Sequence, residues 1–274
     1  MKKRIIPHAI LAAVLGFIPA AASAHILAMV NYDSKTEESL AALGITGHGD
    51  RKEGIAINEK IDRILVTNTI RPDLSEPGET ITAIEASTGK ILDSYKLSDK
   101  PSPSGASPVE ILFVPGADPP VAYITAMFGG EIWTASWNAG TAGFDVAKAY
   151  DFNGTGSGVP LEIYFNGSSD KMYVTTANPG HFHSFDISGD PAKPRLLKTT
   201  AMAPGAHHVA FTRDGRYAIV QNAFINLKGM DDGAILVFDM RSEKVIATVD
   251  TLKNMGFNPN SIVLLPKWND LAGH

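Results

Sequence analysis

The chain has 274 residues, no cysteine and a formal net charge of −5, and 44% of its side chains are hydrophobic. These values exclude a disulfide framework and thiolate chemistry, and the acidic balance argues against nucleic acid or anionic membrane surfaces as partners. A chain of this length and apolar content can bury a full core.

The first element is a basic run, Met1-Lys2-Lys3-Arg4, followed by an apolar stretch from Ile5 to Ile18 that Pro19 interrupts. Ala22-Ser23-Ala24 then supplies the small-x-small pattern of a signal-peptidase site. Ala20-Ala21-Ala22 offers a competing register, but cleavage after Ala24 leaves the next strand pattern intact. Residues 1–24 are therefore expected to be a cleaved secretory signal peptide and residues 25–274 a single domain, periplasmic or secreted. Processing would leave 250 residues with 21 basic and 29 acidic groups, a formal −8. No second apolar run is long enough to cross a bilayer, so no membrane span is expected after processing.

Downstream, one plan recurs. "GIAINEKIDRILVTN…ETITAIEASTGKILDSYKL" (Gly54 to Leu97) and "HVAFTRDGRYAIVQN…GAILVFDMRSEKVIATV" (His208 to Val249) share it. Each has an apolar strand, a polar turn, a second strand ending near Asn, a loop, and two strands about the turns "ASTGK" or "MRSEK". The intervening "VEILFVPGADPPVAYITAMFGGEIWTASWN" and "LEIYFNGSSDKMYVTTANPGHFHSFDIS" follow suit, and their alternation of β-branched and aromatic residues reads as strand. Alignment makes Gly54, Glu110, Glu162, His208 and Ser261 equivalent, at intervals of 56, 52, 46 and 53 residues. Such spacing is near that of propeller blades. The unit at Ser261 is cut short, and "ILAMVNYDSKTEESLAAL" (Ile26 to Leu43) resembles its missing half. The expected fold is all-β: one β-propeller of five blades, each of four antiparallel strands, its ring closed by N- and C-terminal strands. Six blades are the alternative.

"HHVAFTRDGRYAIVQN" with "AILVFDMRSEKVIATV" resembles the YVTN-type β-propeller repeats of exported bacterial proteins. Asp214-Gly215 and Tyr217 match that pattern, "YAIVQN" varies its Tyr-Val-x-Asn strand, and "KMYVTTAN" matches at Tyr173-Val174. The resemblance covers most of the mature chain and is strongest over two units. It implies the fold and little chemistry, because propellers serve as scaffolds, hydrolases, oxidases and metal carriers.

Blade topology places the loops before first strands and between second and third strands on one face. His48, Glu110, Glu162, His207 and His208 map there, as do His181 and His183 of "ANPGHFHS" and His25 at the start of a closing strand. His274 has no assigned place. Imidazoles with carboxylates suit copper or zinc, copper being preferred here. The expected metal residues are His25, His48, His181, His183, His208, Glu110 and Glu162, while strand alternation turns His207 away and makes it structural. His25 as the first mature residue would add its amino nitrogen, a pattern resembling the histidine brace of certain exported copper proteins. Each residue also has an ordinary explanation: a packing histidine at 208, a solvated loop at 48, channel hydration at the glutamates.

"GTGSG" (Gly154 to Gly158) and "PSPSGASP" (Pro101 to Pro108) read as blade connectors, and Trp133 and Trp137 as core. The chain lacks the Gly-x-Ser-x-Gly elbow of a serine hydrolase. Three functions fit: metal handling or metal-dependent oxidation, a metal-free scaffold for another periplasmic protein, or a calcium- or zinc-dependent lactonase-like hydrolase. Catalytic residues stay unassigned. The expected partners are a metal ion or small molecule, and not nucleic acid.

Overall fold

The computed structural model describes residues 54–71, 75–259 and 262. Four sheets of four antiparallel strands occupy this span, each a simple meander in chain order. The first holds β1 (Ile55–Asn58), β2 (Arg63–Ile70), β3 (Pro77–Glu85) and β4 (Ile91–Lys96). The second holds β5 (Pro108–Phe113), β6 (Val121–Ala126), β7 (Glu131–Asn138) and β8 (Gly143–Asp151). The third comprises β9 (Pro160–Phe165), β10 (Lys171–Ala177), β11 (Gly180–Asp186) and β12 (Arg195–Ala201). The fourth comprises β13 (Ala206–Phe211), β14 (Tyr217–Asn222), β15 (Ile235–Asp239) and β16 (Lys244–Val249), followed by a single helical turn, α1 (Thr251–Asn254).

Burial grades from the first strand of each sheet to the last. β9 is buried along its whole length, whereas β12 alternates exposed and half-buried residues. First strands also contact the first strands of neighbouring sheets, β1 with β5, β5 with β9 and β9 with β13. The sheets therefore stand radially, first strand innermost, and bury apolar side chains between their faces. One such layer joins the first two sheets through Leu65, Ile81, Ile111, Ile124 and Trp133, with Trp137 packed against it. A second lies between sheets two and three around Tyr123, Phe152, Ile163 and Phe185. A third lies between sheets three and four around Tyr164, Phe182, Val209 and Phe238. Trp133 is thus a core residue, as expected, and Trp137 packs half-buried against the same layer.

The repeat alignment survives in detail, since Glu110, Glu162 and His208 all fall at the third position of an innermost strand. "PSPSGASP" connects β4 to β5, and "GTGSG" lies between β8 and β9. The described residues hold four blades rather than five. The unit at Ser261, the segment Ile26 to Leu43, His25, His48 and His274 lie outside the described residues. Among the described residues, no helix is long and apolar enough to cross a membrane.

Candidate metal centre

The innermost strands of sheets two, three and four share one irregularity. Pro108 pairs with Ala126 and Ile111 with Ile124, so Val109 and Glu110 together face the single residue Thr125. Likewise Leu161 and Glu162 face Thr175, and His207 and His208 face Gln221. Each is a β-bulge, two residues against one, which bends the strand and re-aims the side chains on it. The chain enters each strand from a left-handed residue, Ser107, Val159 or Gly205. At Gly205 a side chain is excluded, because a Cβ would stand 2.1 Å from the Met230 carbonyl oxygen.

A bulge leaves an amide off the ladder, and here the facing side chain takes it. The Glu110 amide donates to Thr125 Oγ1 at 3.1 Å and the Glu162 amide to Thr175 Oγ1 at 3.2 Å. The His208 amide donates to Gln221 Oε1, also at 3.1 Å. In the first sheet Gly54, at the equivalent place, donates to Thr67 Oγ1 at 2.8 Å. The hydroxyls of Thr67 and Thr125 then donate onward to the Val109 and Leu161 carbonyls of the next sheet. Polar side chains at this one position therefore fix both the bulge and the spacing between blades.

Two neighbouring bulges bring Glu162, His207 and His208 together. Each offers one oxygen or nitrogen, and these atoms lie within 4.8 Å of one another. His207 Nε2 is 3.1 Å from Glu162 Oε1, and His208 Nδ1 is 3.7 Å from the same oxygen. Glu162 and His207 are buried and His208 is half-buried. The two imidazoles stack, with centroids 3.8 Å apart and planes at 29°, and Phe224 meets His207 edge-on at 5.1 Å. Behind them the buried Tyr164 hydroxyl accepts the Val209 amide at 2.8 Å. Burial, and then the nearby Glu162 charge, holds the Tyr164 phenol well above its ordinary pKa, so it stays protonated. Imidazole nitrogens beside a carboxylate oxygen are donor types that suit a borderline ion such as zinc or copper(II).

Of the residues expected from sequence, Glu162 and His208 meet in this cluster. Glu110 is buried at the equivalent bulge of sheet two, and its charge also raises the Tyr164 pKa. His181 and His183 are elsewhere, on β11. The His183 ring nitrogens lie 3.1 Å from Thr176 Oγ1 and 3.0 Å from Thr199 Oγ1, and its ring packs 4.7 Å from that of Phe152. Burial, reinforced by His181, pushes the His183 pKa down to about 3. His181 sits 5.6 Å from His183 ring to ring, 3.1 Å from Ser157 Oγ through Nδ1, and is likewise lowered by burial. His207, expected to be structural, joins the cluster instead. Strand alternation would have turned it away, and the bulge overrides that alternation. The only sequence signal was its place beside His208, opposite a glutamine where the other repeats carry threonine.

Neither a protein-family model nor a curated protein matches the sequence. Solved structures do match. A hypothetical selenium-binding protein from Sulfolobus tokodaii superposes with a TM-score of 0.58 at 13% identity, over 73% of this chain and 56% of that one. A 6-phosphogluconolactonase assigned provisionally in Bacteroides uniformis gives 0.55 at 9% identity, over 73% and 55%. The periplasmic gluconolactonase PpgL of Pseudomonas aeruginosa gives 0.52 at 14%, over 76% and 56%. The fold is a β-propeller. The chain spans about half the length of the solved structures it matches, and identities this low establish the propeller architecture alone. Within that architecture the cluster lies where the innermost strands of two adjacent blades begin.

Proposed function

We propose that this propeller binds a transition metal ion, copper first and zinc second, at the Glu162–His207–His208 cluster, and acts in metal handling or metal-dependent oxidation outside the cytoplasm. The observation that carries the reading is the convergence of one carboxylate and two imidazoles, from two blades, within 4.8 Å. A fifth blade built from the segments around Ser261 and Ile26 to Leu43 would bring His25 to the same face as a further ligand, and His48, in the loop expected to enter the first strand of the Gly54 unit, would be another. The signal-like segment 1–24 supports export. A mature chain starting at His25, read by intact mass, is the form in which that residue could chelate through its amino nitrogen.

The deciding experiment is the metal content of protein isolated without chelator and after reconstitution. About one equivalent of copper or zinc, lost in the His207→Ala/His208→Ala double variant, supports the proposal. A folded wild-type protein that takes up neither ion sinks it.

A second reading is a lactonase-like hydrolase holding calcium or zinc. It is favoured by Glu110 and Glu162, both buried at equivalent bulges, and by the gluconolactonase names of two similar structures. Calcium that survives the double histidine change but leaves with Glu110→Ala would select this reading.

A further inference from the structure

His207 Nε2 lies 3.1 Å from Glu162 Oε1, an ion-pair contact, while its Nδ1 is buried without a hydrogen-bond partner among the described residues. We infer that Glu162 is a positioning carboxylate rather than a metal ligand: it holds the proton on His207 Nε2 and so makes Nδ1 the nitrogen presented to an ion. This deepens the metal reading, and rests on it for the nature of the ligand but not for the tautomer.

An ionised carboxylate only accepts hydrogen bonds, so a contact of 3.1 Å to Oε1 places the proton on Nε2. A neutral imidazole has a single ring proton, which leaves Nδ1 a bare lone pair. Buried acceptors are almost always satisfied, and an unsatisfied one points to a water or an ion. A carboxylate behind one ring nitrogen and an open lone pair on the other is how metal-binding histidines are held, and the hydrogen bond raises the basicity of the ligating nitrogen.

Joint ligation by all three residues fits the geometry less well. It would require Oε1 to give up Nε2. It would also require one ion to lie in the planes of two rings stacked 3.8 Å apart and only 29° from parallel. The rings would have to part first. The Nδ1 arrangement keeps the Glu162–His207 contact intact, and Phe224 and His208 pack against the ring.

The test is a long-range ¹H–¹⁵N correlation spectrum of the imidazoles in the full-length protein at about pH 8, before and after addition of zinc chloride. The expected result is His207 as the Nε2–H tautomer, with zinc moving the Nδ1 signal and leaving Nε2 protonated. Glu162→Gln, whose amide can accept or donate, should mix the tautomers and weaken zinc binding about 10- to 100-fold. Glu162→Asp should restore part of both. An Nδ1–H tautomer or an imidazolium in the wild-type protein, or zinc on Nε2, overturns the inference. Zinc that leaves the His207 signals unmoved, with the Nε2–H tautomer in place, sinks the metal reading and the ligand role of Nδ1 while upholding the tautomer. If Glu162→Gln does not fold, the wild-type spectrum alone decides the tautomer.

Discussion

The Val209 amide donates to the Tyr164 hydroxyl at 2.8 Å, across the boundary between the third and fourth blades and immediately after the His207–His208 bulge. Removing the hydroxyl leaves a buried N–H with no acceptor, which costs more than the net worth of one hydrogen bond. Tyr164→Phe should therefore destabilise the protein by about 1–3 kcal/mol. Urea denaturation should show a lower midpoint with an unchanged slope. A midpoint equal to that of wild type would mean that the bulge amide finds another partner.

The same bulges explain what could be read in the sequence and what could not. Periodicity in the strands and polar turns at regular intervals gave the blade architecture, because each blade repeats one meander and buries the same positions. The equivalence of Glu110, Glu162 and His208 followed from alignment alone. The role of Thr67, Thr125, Thr175 and Gln221 did not, since in "LVTN", "YITA", "YVTT" and "IVQN" this position looks like ordinary variation within a Tyr-Val-x-Asn strand. It is the residue that takes the amide at this place in each blade, the bulge amide in the last three. The approach of His207 to Glu162 is hidden for the same reason: a period of two predicts the face of a side chain only while the ladder is unbroken. The surroundings of His183 are hidden differently. Alternation correctly put His181 and His183 on one side of β11, but whether that side meets solvent or the packed layer beneath Phe152 is a tertiary fact.

Gly180 begins β11 where the chain presses against the loop that follows β12. A Cβ there would stand 1.8 Å from the Ala203 carbonyl oxygen and 2.5 Å from its carbon, both backbone atoms. Gly180→Ala should cost about 2–3 kcal/mol, because the backbone must move to admit the methyl group. Gly167 is the control, as nothing lies within 4 Å of its added Cβ. Thermal melts of the two variants should separate clearly, with Gly167→Ala close to wild type. Equal melting temperatures would contradict the close approach.

His183 makes stability depend on pH. Its folded pKa, about 3, lies below the ordinary 6.5, so on acidification the unfolded chain takes up the proton first. The contribution is complete above about pH 6.5 and is lost progressively as pH falls toward 3, by at most about 1.4 kcal/mol per pH unit. Denaturation midpoints measured from pH 7 to pH 4 should fall in the wild type. They should fall less steeply in His183→Gln, whose amide can bond Thr176 and Thr199 without titrating. Parallel pH profiles for the two proteins would show that His183 is not buried neutral.

Gln221 replaces the threonine of the other blades, and its length gives it a second task. While Oε1 takes the His208 amide, Nε2 donates to the carbonyls of Ala223 and Pro259, the latter in the chain beyond α1. Pro259 precedes Ser261 by two residues, as Pro108 precedes Glu110 and Pro160 precedes Glu162. This bond therefore ties the fourth blade to the segment after α1, as the Thr67 and Thr125 hydroxyls tie earlier neighbours. Two substitutions separate the tasks. Gln221→Thr keeps an oxygen for the His208 amide but is too short to reach Pro259, whereas Gln221→Ala loses both contacts. Hydrogen exchange should show residues 250–259 opening about fivefold more often in both variants, the equivalent of roughly 1 kcal/mol for one hydrogen bond. Protection of the His208 amide should fall only in Gln221→Ala. Unchanged exchange across 250–259 in both variants would show that the Pro259 contact does not hold the segment, and equal loss at His208 in both would show that threonine cannot serve this bulge as it serves the other two.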